Sequence, residues 1–350
     1  MASSAHGSSR AKKATRADVA KLAGVSESTV SYVLTGARPI SDETKERVEA
    51  AMTELGYTPN AMAQALARRQ AGLLALLFPV RERGFDASDF DYVEAATKVT
   101  AEQGYQMLLW PNAVEDTDSL NKIASQGLVD GVILMEVREE DPRVETLREA
   151  KIPFVLIGRT NDSDSLTYVD ADFALWGPMA IEHLASLGHT SIGMISAQPD
   201  LFNAGYGPGV KTEASVIAAA KAAGVTVLIK HVNSSMRAGY AAMEELYNEM
   251  PGMTAILGLN EPAIIGALEA ASAQGIRIPE DLSVLTFGIS EEAATMTMPA
   301  QSSLGVDGEA LGTMAAEFLL ARLGGDDRTT LQHLAPPFMV DRGSTGPSRT

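Results

Sequence analysis

Short apolar runs alternate with helical patterns over most of the chain, from Leu73 onward. The runs predict buried strands at Leu73–Pro79, Val129–Met135, Ile152–Gly158, Ser191–Ser196, Val225–Lys230, Thr254–Leu259 and Leu282–Phe287. Helical spacing separates them at Val93–Gly104, Pro178–Gly188, Glu213–Gly224, Ala238–Met250 and Glu261–Gly275. Strands that alternate with helices predict parallel sheets covered on both faces, with ligands beyond the carboxyl ends of the strands.

The first sixty residues have a different pattern, that of three short helices. Thr15 and Asp18 have the spacing of a capping box for a helix that stops at Gly24. Ser26 can cap a second helix, residues 27–34, and a third runs from residue 41 to residue 56. Two short helices joined by a glycine turn are typical of a helix-turn-helix. A plain three-helix bundle or a protein-interaction module is the alternative.

Charge divides the chain into a basic beginning and an acidic remainder. The formal net charge is −17, yet residues 1–70 hold ten Lys/Arg and seven Asp/Glu, against eighteen and thirty-eight in residues 71–350. A basic end on an acidic body indicates that the basic end binds nucleic acid. The acidic body should repel DNA phosphates, so only the basic end can lie against a duplex. The absence of cysteine excludes disulfides, thiolate metal sites and cysteine nucleophiles.

Two segments near the beginning of the chain form an ordered set of motifs: the run from Thr15 to Ser26, TRADVAKLAGVS, followed by Thr29-Val30-Ser31, and YTPNAMAQAL at residues 57–66. Together they resemble the lactose-repressor (LacI/GalR) family. The resemblance implies that Glu27, Ser28 and Tyr32 meet base edges and that Thr29 and Ser31 meet phosphates. Thr15, Arg16 and Ser26 complete the expected DNA-binding set. Glu27 is unusual: it can accept from a cytosine amino group, or it can be a first-turn acid favoured by the helix dipole.

The resemblance also implies a hinge, residues 59–71, that orders when two copies meet on DNA. Its expected DNA contacts are Asn60, Ala63, Leu66 and Arg68, with Leu66 wedged between base pairs of the minor groove. The alternative is that Leu66 packs on the body and the arginines are a solvated linker.

The family's periplasmic-binding-protein-like body is expected over residues 72–345. Landmarks are Ile157-Gly158-Arg159, Val169-Asp170 and Arg342-Gly343-Ser344-Thr345. The resemblance implies a first subdomain at about 72–170 and 300–330 and a second at about 171–299 and 331–345. The complete expected fold is α/β: a three-helix helix-turn-helix domain, residues 15–58, plus a body of two parallel-sheet subdomains. Residues 1–14 are expected to be a disordered tail.

The ends of the predicted strands and the loops after them supply candidate effector contacts. These are Phe85, Asp89, Phe90, Met135, Arg159, Asn260 and Glu261. Trp176 is a further candidate, as a stacking surface for a sugar or a base, and Lys211 completes the expected set. The alternative for each is ordinary: an aromatic residue in the core, or an acid at the surface.

Three positions depart from the family pattern around this site. The ligand-clamping arginine of the family is matched by Thr212, beside Lys211, within an unusual Gly205–Gly209 loop. Asn260-Glu261 replaces Asn-Asp, and Phe287 is followed by Gly288-Ile289-Ser290 without the usual acid. The pocket chemistry is therefore expected to differ from that of familiar sugar sites.

No pattern predicts a catalytic residue, a metal site or a cofactor. The histidines lack i, i+4 spacing, and there is no G-x-S-x-G turn. The expected function is an effector-controlled transcriptional repressor in the cytoplasm. Expected partners are pseudo-palindromic double-stranded DNA, a small molecule such as a sugar, and a second copy in a homodimer, with a tetramer left open and no membrane. There are three alternatives. A transporter's solute-binding protein is disfavoured by the lack of a secretory signal pattern, an α/β enzyme has no supporting acid–base or nucleophile pattern, and a regulator that has lost ligand sensing stays open.

Overall fold

The computed structural model describes residues 14–35, 38–58, 70–78, 87–111, 113–325 and 330–349. The chain divides into two compact units, Met1–Gly72 and Leu73–Thr350. Within the described residues, no helix combines the length and the apolar character that crossing a membrane requires.

The first unit contains three helices, α1 (Arg16–Ala23), α2 (Glu27–Thr35) and α3 (Asp42–Leu55). The predicted capping box is present, because the Asp18 amide donates to Thr15 Oγ1 at 3.3 Å and the Thr15 amide donates to Asp18 Oδ2 at 2.9 Å. The helices meet over a small core that includes the fully buried side chains of Val19, Val30 and Val48. The three predicted helices are therefore confirmed.

The second unit contains two six-stranded sheets. The first has the order β11-β5-β4-β3-β1-β2 and is parallel throughout. Its strands are β1 (Leu73–Phe78), β2 (Gln106–Pro111), β3 (Gly131–Leu134), β4 (Phe154–Ile157), β5 (Tyr168–Ala171) and β11 (Gln332–Ala335).

The second sheet has the order β12-β10-β9-β8-β6-β7 and is parallel except for its antiparallel edge strand β12. Its strands are β6 (Ser191–Ser196), β7 (Thr226–His231), β8 (Ala255–Gly258), β9 (Ser283–Phe287), β10 (Ser302–Gly305) and β12 (Phe338–Val340). The seven predicted strands are confirmed. Of the five additional ones, β5, β10, β11 and β12 are only three or four residues long, which hides them from a hydrophobicity pattern. Strand β2 is an edge strand of six residues with several apolar side chains, and the sequence analysis missed it.

Helices cover both sheets and close their apolar cores. They are α4 (Ala87–Glu102), α5 (Thr117–Ser125), α6 (Pro142–Glu149), α7 (Trp176–Ser186), α8 (Pro199–Asn203), α9 (Gly207–Ala223), α10 (Met236–Glu249), α11 (Glu261–Ala273), α12 (Glu291–Thr295) and α13 (Gly308–Leu323). The pairs α4 with α13, α7 with α9, and α10 with α11 pack side by side. Gly239 and Gly266 permit the last pairing, because a Cβ at either position would overlap the backbone of the other helix.

Two expectations about the second unit need correction. Strand β10 belongs to the second sheet and β11 to the first, so the chain changes subdomain a few residues after the predicted positions of about 300 and about 330. A buried strand has the same apolar pattern in either sheet, and the sequence therefore does not show which sheet it joins. The predicted Gly205–Gly209 loop is also partly helical, because Gly207 begins α9 and Pro208 lies in its first turn.

Candidate DNA-binding face and effector cavity

The polar face of α2 carries the side chains that the sequence assigned to base edges. Glu27 and Ser28 are exposed and Tyr32 is partly exposed, while Val30 on the opposite face is fully buried in the core of the unit. Thr15 and Arg16, at the start of α1, are exposed as well. The apolar side of α2 is thus buried in the core of the unit, and its polar side chains remain exposed for contact with a partner.

Local contacts organise this surface. Arg16 Nε lies 3.5 Å from Glu27 Oε2, and both side chains are about half exposed. Ser26 Oγ accepts from the Thr29 amide at 3.1 Å, which caps α2 as predicted. The Glu27 carboxylate therefore faces a guanidinium, an arrangement that neither interpretation of Glu27 had included.

Arg38 is a further cation at this face. Its guanidinium lies 5.1 Å from the centre of the Tyr32 ring, within the range of a cation–π contact. No sequence pattern predicted this pair, because Arg38 belongs to the connection after α2 rather than to a periodic element. Ser31 is partly buried on the same helix.

Five predicted site residues lie outside the described residues. They are the hinge positions Asn60, Ala63, Leu66 and Arg68 and the candidate effector contact Phe85.

A cavity of about 350 Å³ lies in the second unit, where the carboxyl ends of strands from both sheets converge. Seven of the predicted effector contacts line it: Asp89, Met135, Arg159, Trp176, Lys211, Asn260 and Glu261. Its volume is near the lower limit of ligand pockets, roughly 300–1,000 Å³.

Phe90 differs from this expectation. It follows Asp89 in the first turn of α4, but it is 57% exposed and is not part of the cavity wall. Ser88, Asp89, Asp91 and Tyr92 line the cavity from one face of α4, and at about 100° of rotation per residue Phe90 lies on the opposite face.

A buried carboxylate with two cations occupies one wall of the cavity. Asp170, at the end of β5, lies 3.3 Å from Arg159 Nε and 3.6 Å from Lys211 Nζ. Burial raises the pKa of Asp170 to about 6, and the two neighbouring cations only partly oppose that shift. Burial likewise lowers the pKa of Lys211, which the Asp170 carboxylate partly restores. In this cluster desolvation therefore outweighs charge pairing for both Asp170 and Lys211.

Trp176 lies within an aromatic cluster. Its ring centre is 5.0 Å from that of Phe173 and 5.6 Å from that of Phe287, and the residue is 3% exposed. Its indole Nε1 is buried without a hydrogen-bond partner, and the residue lines the cavity together with Asp170, whose Oδ2 pairs with Arg159 and Lys211. An unpartnered N–H donor and a carboxylate paired with two cations therefore lie in the wall of one cavity. The predicted stacking role of Trp176 stays a prediction.

Asn260 has structural contacts that the sequence did not reveal. Its Oδ1 accepts from the Ala263 amide at 3.4 Å, and its Nδ2 donates to the Val232 carbonyl at 3.0 Å. The side chain thereby caps α11 and ties it to the end of β7. Glu261, next to it, begins the helix.

Several residues of the cavity wall were not predicted as contacts. Asp170 and Arg342 were recognised only as parts of family landmarks, Tyr206 only as part of the Gly205–Gly209 loop, and Tyr92 was not singled out. Burial raises the pKa of Tyr92, and the carboxylates of Asp89 and Asp170 add to the shift. The landmark did not indicate that Arg342 lines the cavity, because the return of this segment to the cavity depends on the tertiary fold.

Two family models match the chain. The model of bacterial regulatory proteins of the lacI family matches residues 15–60, and that of a periplasmic binding protein-like domain matches residues 181–345. They cover α1–α3 and much of the second unit.

Curated relatives match nearly the full length. The HTH-type transcriptional regulator CelR of Thermobifida fusca is 30% identical over 326 residues, 91% of this chain and 94% of that protein. The HTH-type transcriptional repressor PurR of Salmonella newport (strain SL254) is 31% identical over 347 residues, 96% of this chain and 98% of that protein.

Solved structures of transcriptional regulators share the fold. A complex of the transcriptional regulator CelR with cellobiose has a TM-score of 0.70 at 27% identity, covering 95% of this chain and 99% of that one. A lac repressor dimer bound to operator and the anti-inducer ONPF has a TM-score of 0.81 at 23% identity, and the match covers 96% of this chain and 100% of that one. The predicted fold class is confirmed, and the chain is a DNA-binding transcriptional regulator that belongs to the lacI family of bacterial regulatory proteins.

Proposed function

We propose that this protein is a homodimeric repressor that binds a pseudo-palindromic operator through α2 and senses a small, neutral, hydroxyl-rich molecule in the cavity of its second unit. The cytoplasm, which holds bacterial DNA, is its proposed place of action. The proposal assigns no catalytic role to any residue.

The polar face of α2 supports the DNA-binding part. Two copies related by a twofold axis would present Glu27, Ser28 and Tyr32 to adjacent major grooves, about one helical turn apart. Arg16 and the hydroxyls of Thr29 and Ser31 would contact phosphates. The hinge contacts Asn60, Ala63, Leu66 and Arg68 remain part of this proposal.

The ligand part rests on Trp176 Nε1, which is buried without a hydrogen-bond partner, and on the Asp170 carboxylate, which lines the same cavity. A hydroxyl group can accept from the indole N–H and also donate to a carboxylate. An anionic group would instead meet the Asp170 carboxylate, and a cation would have to compete with Arg159 and Lys211. The cellobiose in the CelR structure, a sugar bound to a relative of this chain, agrees with a neutral hydroxyl-rich effector.

The effector would act by changing the affinity for operator. Coupling between two sites of an allosteric protein is typically about 1–3 kcal/mol, which corresponds to a change of roughly 5–150-fold. An effector that binds one arrangement of the second unit better than another would shift the population of DNA-competent dimers.

One experiment tests both parts. The full chain is screened by thermal shift against neutral sugars, nucleosides and sugar phosphates, and selection from a random DNA library is repeated with and without any ligand found. Trp176→Phe keeps the aromatic packing but removes the N–H, and should weaken ligand binding by on the order of tenfold. Trp110→Phe is the matched control, since Trp110 is the only other tryptophan of the chain and does not line the cavity.

Three outcomes would contradict the proposal. They are selection of DNA without any sequence preference, binding of charged ligands alone, and equal ligand affinity in the Trp176→Phe and Trp110→Phe variants.

A further inference from the structure

Two chain segments bridge the cavity from opposite subdomains. Residues 137–139 follow β3 of the first sheet, and residues 205–207 lead into α9 beside the second sheet. The Glu139 amide donates to the Gly205 carbonyl at 2.8 Å, and the Gly207 amide donates to the Val137 carbonyl at 3.2 Å. Between them, Arg138 and Tyr206 form an antiparallel bridge. The two subdomains are thus joined here by backbone hydrogen bonds.

Lys211 adds a side-chain connection one turn further along α9. Its ammonium donates to the Arg159 carbonyl at 2.7 Å and lies 3.6 Å from Asp170 Oδ2. Both partners belong to the first subdomain, so the lysine crosses the cleft. Its side chain is only 16% exposed, which makes the interaction stronger than that of a surface ion pair.

The close approach of the two segments depends on a residue without a side chain. A Cβ at Gly207 would lie 2.9 Å from the Val137 carbonyl oxygen and 3.3 Å from Lys211 Nζ. The first distance is shorter than real Cβ contacts, and the obstructing atom belongs to the backbone, which cannot move away as a flexible side chain would. The sequence feature that looked like an irregular loop is therefore what lets α9 reach the first subdomain.

We propose that residues 137–139, Arg159 and Asp170 on one side, with residues 205–207 and Lys211 on the other, form a cross-cleft clasp that holds this edge of the cavity closed without any ligand. Each contact joins protein to protein, so none requires an effector. Lys211 acts as a positioning residue, because it fixes the Asp170 carboxylate and joins the subdomains. An effector would then act on a cavity whose one edge is already closed.

Amide hydrogen exchange of the ligand-free, DNA-free full chain tests the clasp. The Glu139 and Gly207 amides should exchange slowly in the wild type. Lys211→Met keeps the aliphatic stem and removes the charge, and should speed exchange at both amides by on the order of tenfold. Exchange in β6 should not change. Lys211→Arg, which retains a cation, should restore part of the protection.

The matched control is Lys221→Met, since Lys221 is exposed in the last turn of the same helix. Gly207→Ala should open the clasp without changing any charge. Rapid exchange of both amides in the wild type would overturn the proposal, as would identical exchange in the Lys211→Met and Lys221→Met variants. Because effector and DNA are both absent, a negative result here leaves the repressor proposal intact, and failure to find an effector leaves the clasp testable.

Discussion

The carboxyl group of Asp170 is 5% exposed and has the cations of Arg159 and Lys211 beside it. Burial nevertheless outweighs the cations, and the pKa rises from 3.8 to about 6. The folded protein therefore keeps a proton that the unfolded chain has already released between these two pH values. The free energy of unfolding should consequently fall as the pH rises from about 4 to about 6, by on the order of 2–3 kcal/mol, and then level off.

Urea unfolding of the wild type and of Asp170→Asn, from about pH 4.5 to about pH 7.5, isolates this contribution. The amide does not titrate, so the stability of the variant relative to the wild type should increase with pH up to about 6. Asp172→Asn is the control, because this partly exposed carboxylate lies two residues further along the chain. A difference between wild type and Asp170→Asn that is constant over the whole range would contradict the prediction.

The sequence allowed a prediction of which residues at strand ends line the cavity, but not of how deeply they are buried or which side chains surround them. The order of strands and helices placed Met135, Arg159 and Asn260 at the cavity, and the structure agrees. The buried state of Asp170 and the aromatic cover over Trp176 depend on the approach of two sheets distant in sequence. Local patterns carry no information about such distant partners.

The turn between β3 and α6 is an element held by a buried ion pair. Arg143 donates to Asp141 Oδ1 at 2.9 Å and to Oδ2 at 2.7 Å, and both side chains are fully buried. Arg143 also donates to the carbonyls of Met135 and Glu136 at 3.2 and 3.1 Å. Glu136 has a φ of +55°, a conformation unfavourable for a residue with a side chain. The pair thus holds a strained turn that supplies part of the cavity wall and the start of the clasp.

Arg143→Met should lower the free energy of unfolding by about 3–5 kcal/mol, because it leaves the Asp141 carboxylate buried without its cation. Arg148→Met on the same helix is the control, since Arg148 is 49% exposed and its ion pair with Glu145 is worth about 1 kcal/mol or less. Urea denaturation of both variants measures the difference. A loss of less than about 1 kcal/mol in Arg143→Met would show that the pair is dispensable.

The start of helix α9 could not be predicted from the sequence pattern. Glycines lower helix propensity, so residues 205–209 were predicted as a loop, yet Gly207 and Pro208 form the first turn of α9. Proline suits a first turn because it has no amide hydrogen to leave unpaired. Tertiary contacts with residues 137–139 stabilise a helix start that propensity alone disfavours. The predicted helices of the first unit, by contrast, have local signals: Thr15 and Ser26 cap α1 and α2, and α3 ends at a left-handed Gly56.

At the scale of the whole molecule, the basic and acidic parts of the sequence correspond to the two structural units. The unit Met1–Gly72 contains the basic beginning, whereas the remaining residues hold most of the acids that give the chain its net charge of −17. DNA affinity that comes from phosphate contacts decreases with salt, because each neutralised phosphate releases counterions. The salt dependence of operator binding should therefore be set by cations of the first unit alone.

Arg16→Gln should weaken binding to all DNA sequences by a similar factor and reduce the slope of log affinity against log salt by about one. Arg237→Gln, which removes an exposed cation on α10 of the second unit, should leave that slope unchanged. The slopes are measured by titrating labelled operator with the full-length protein at several salt concentrations. An equal reduction in both variants would mean that the second unit contacts phosphates despite its acidity. Because Arg16 also faces Glu27 at 3.5 Å, Glu27→Gln in the same series would show how far that carboxylate competes with phosphate for the guanidinium.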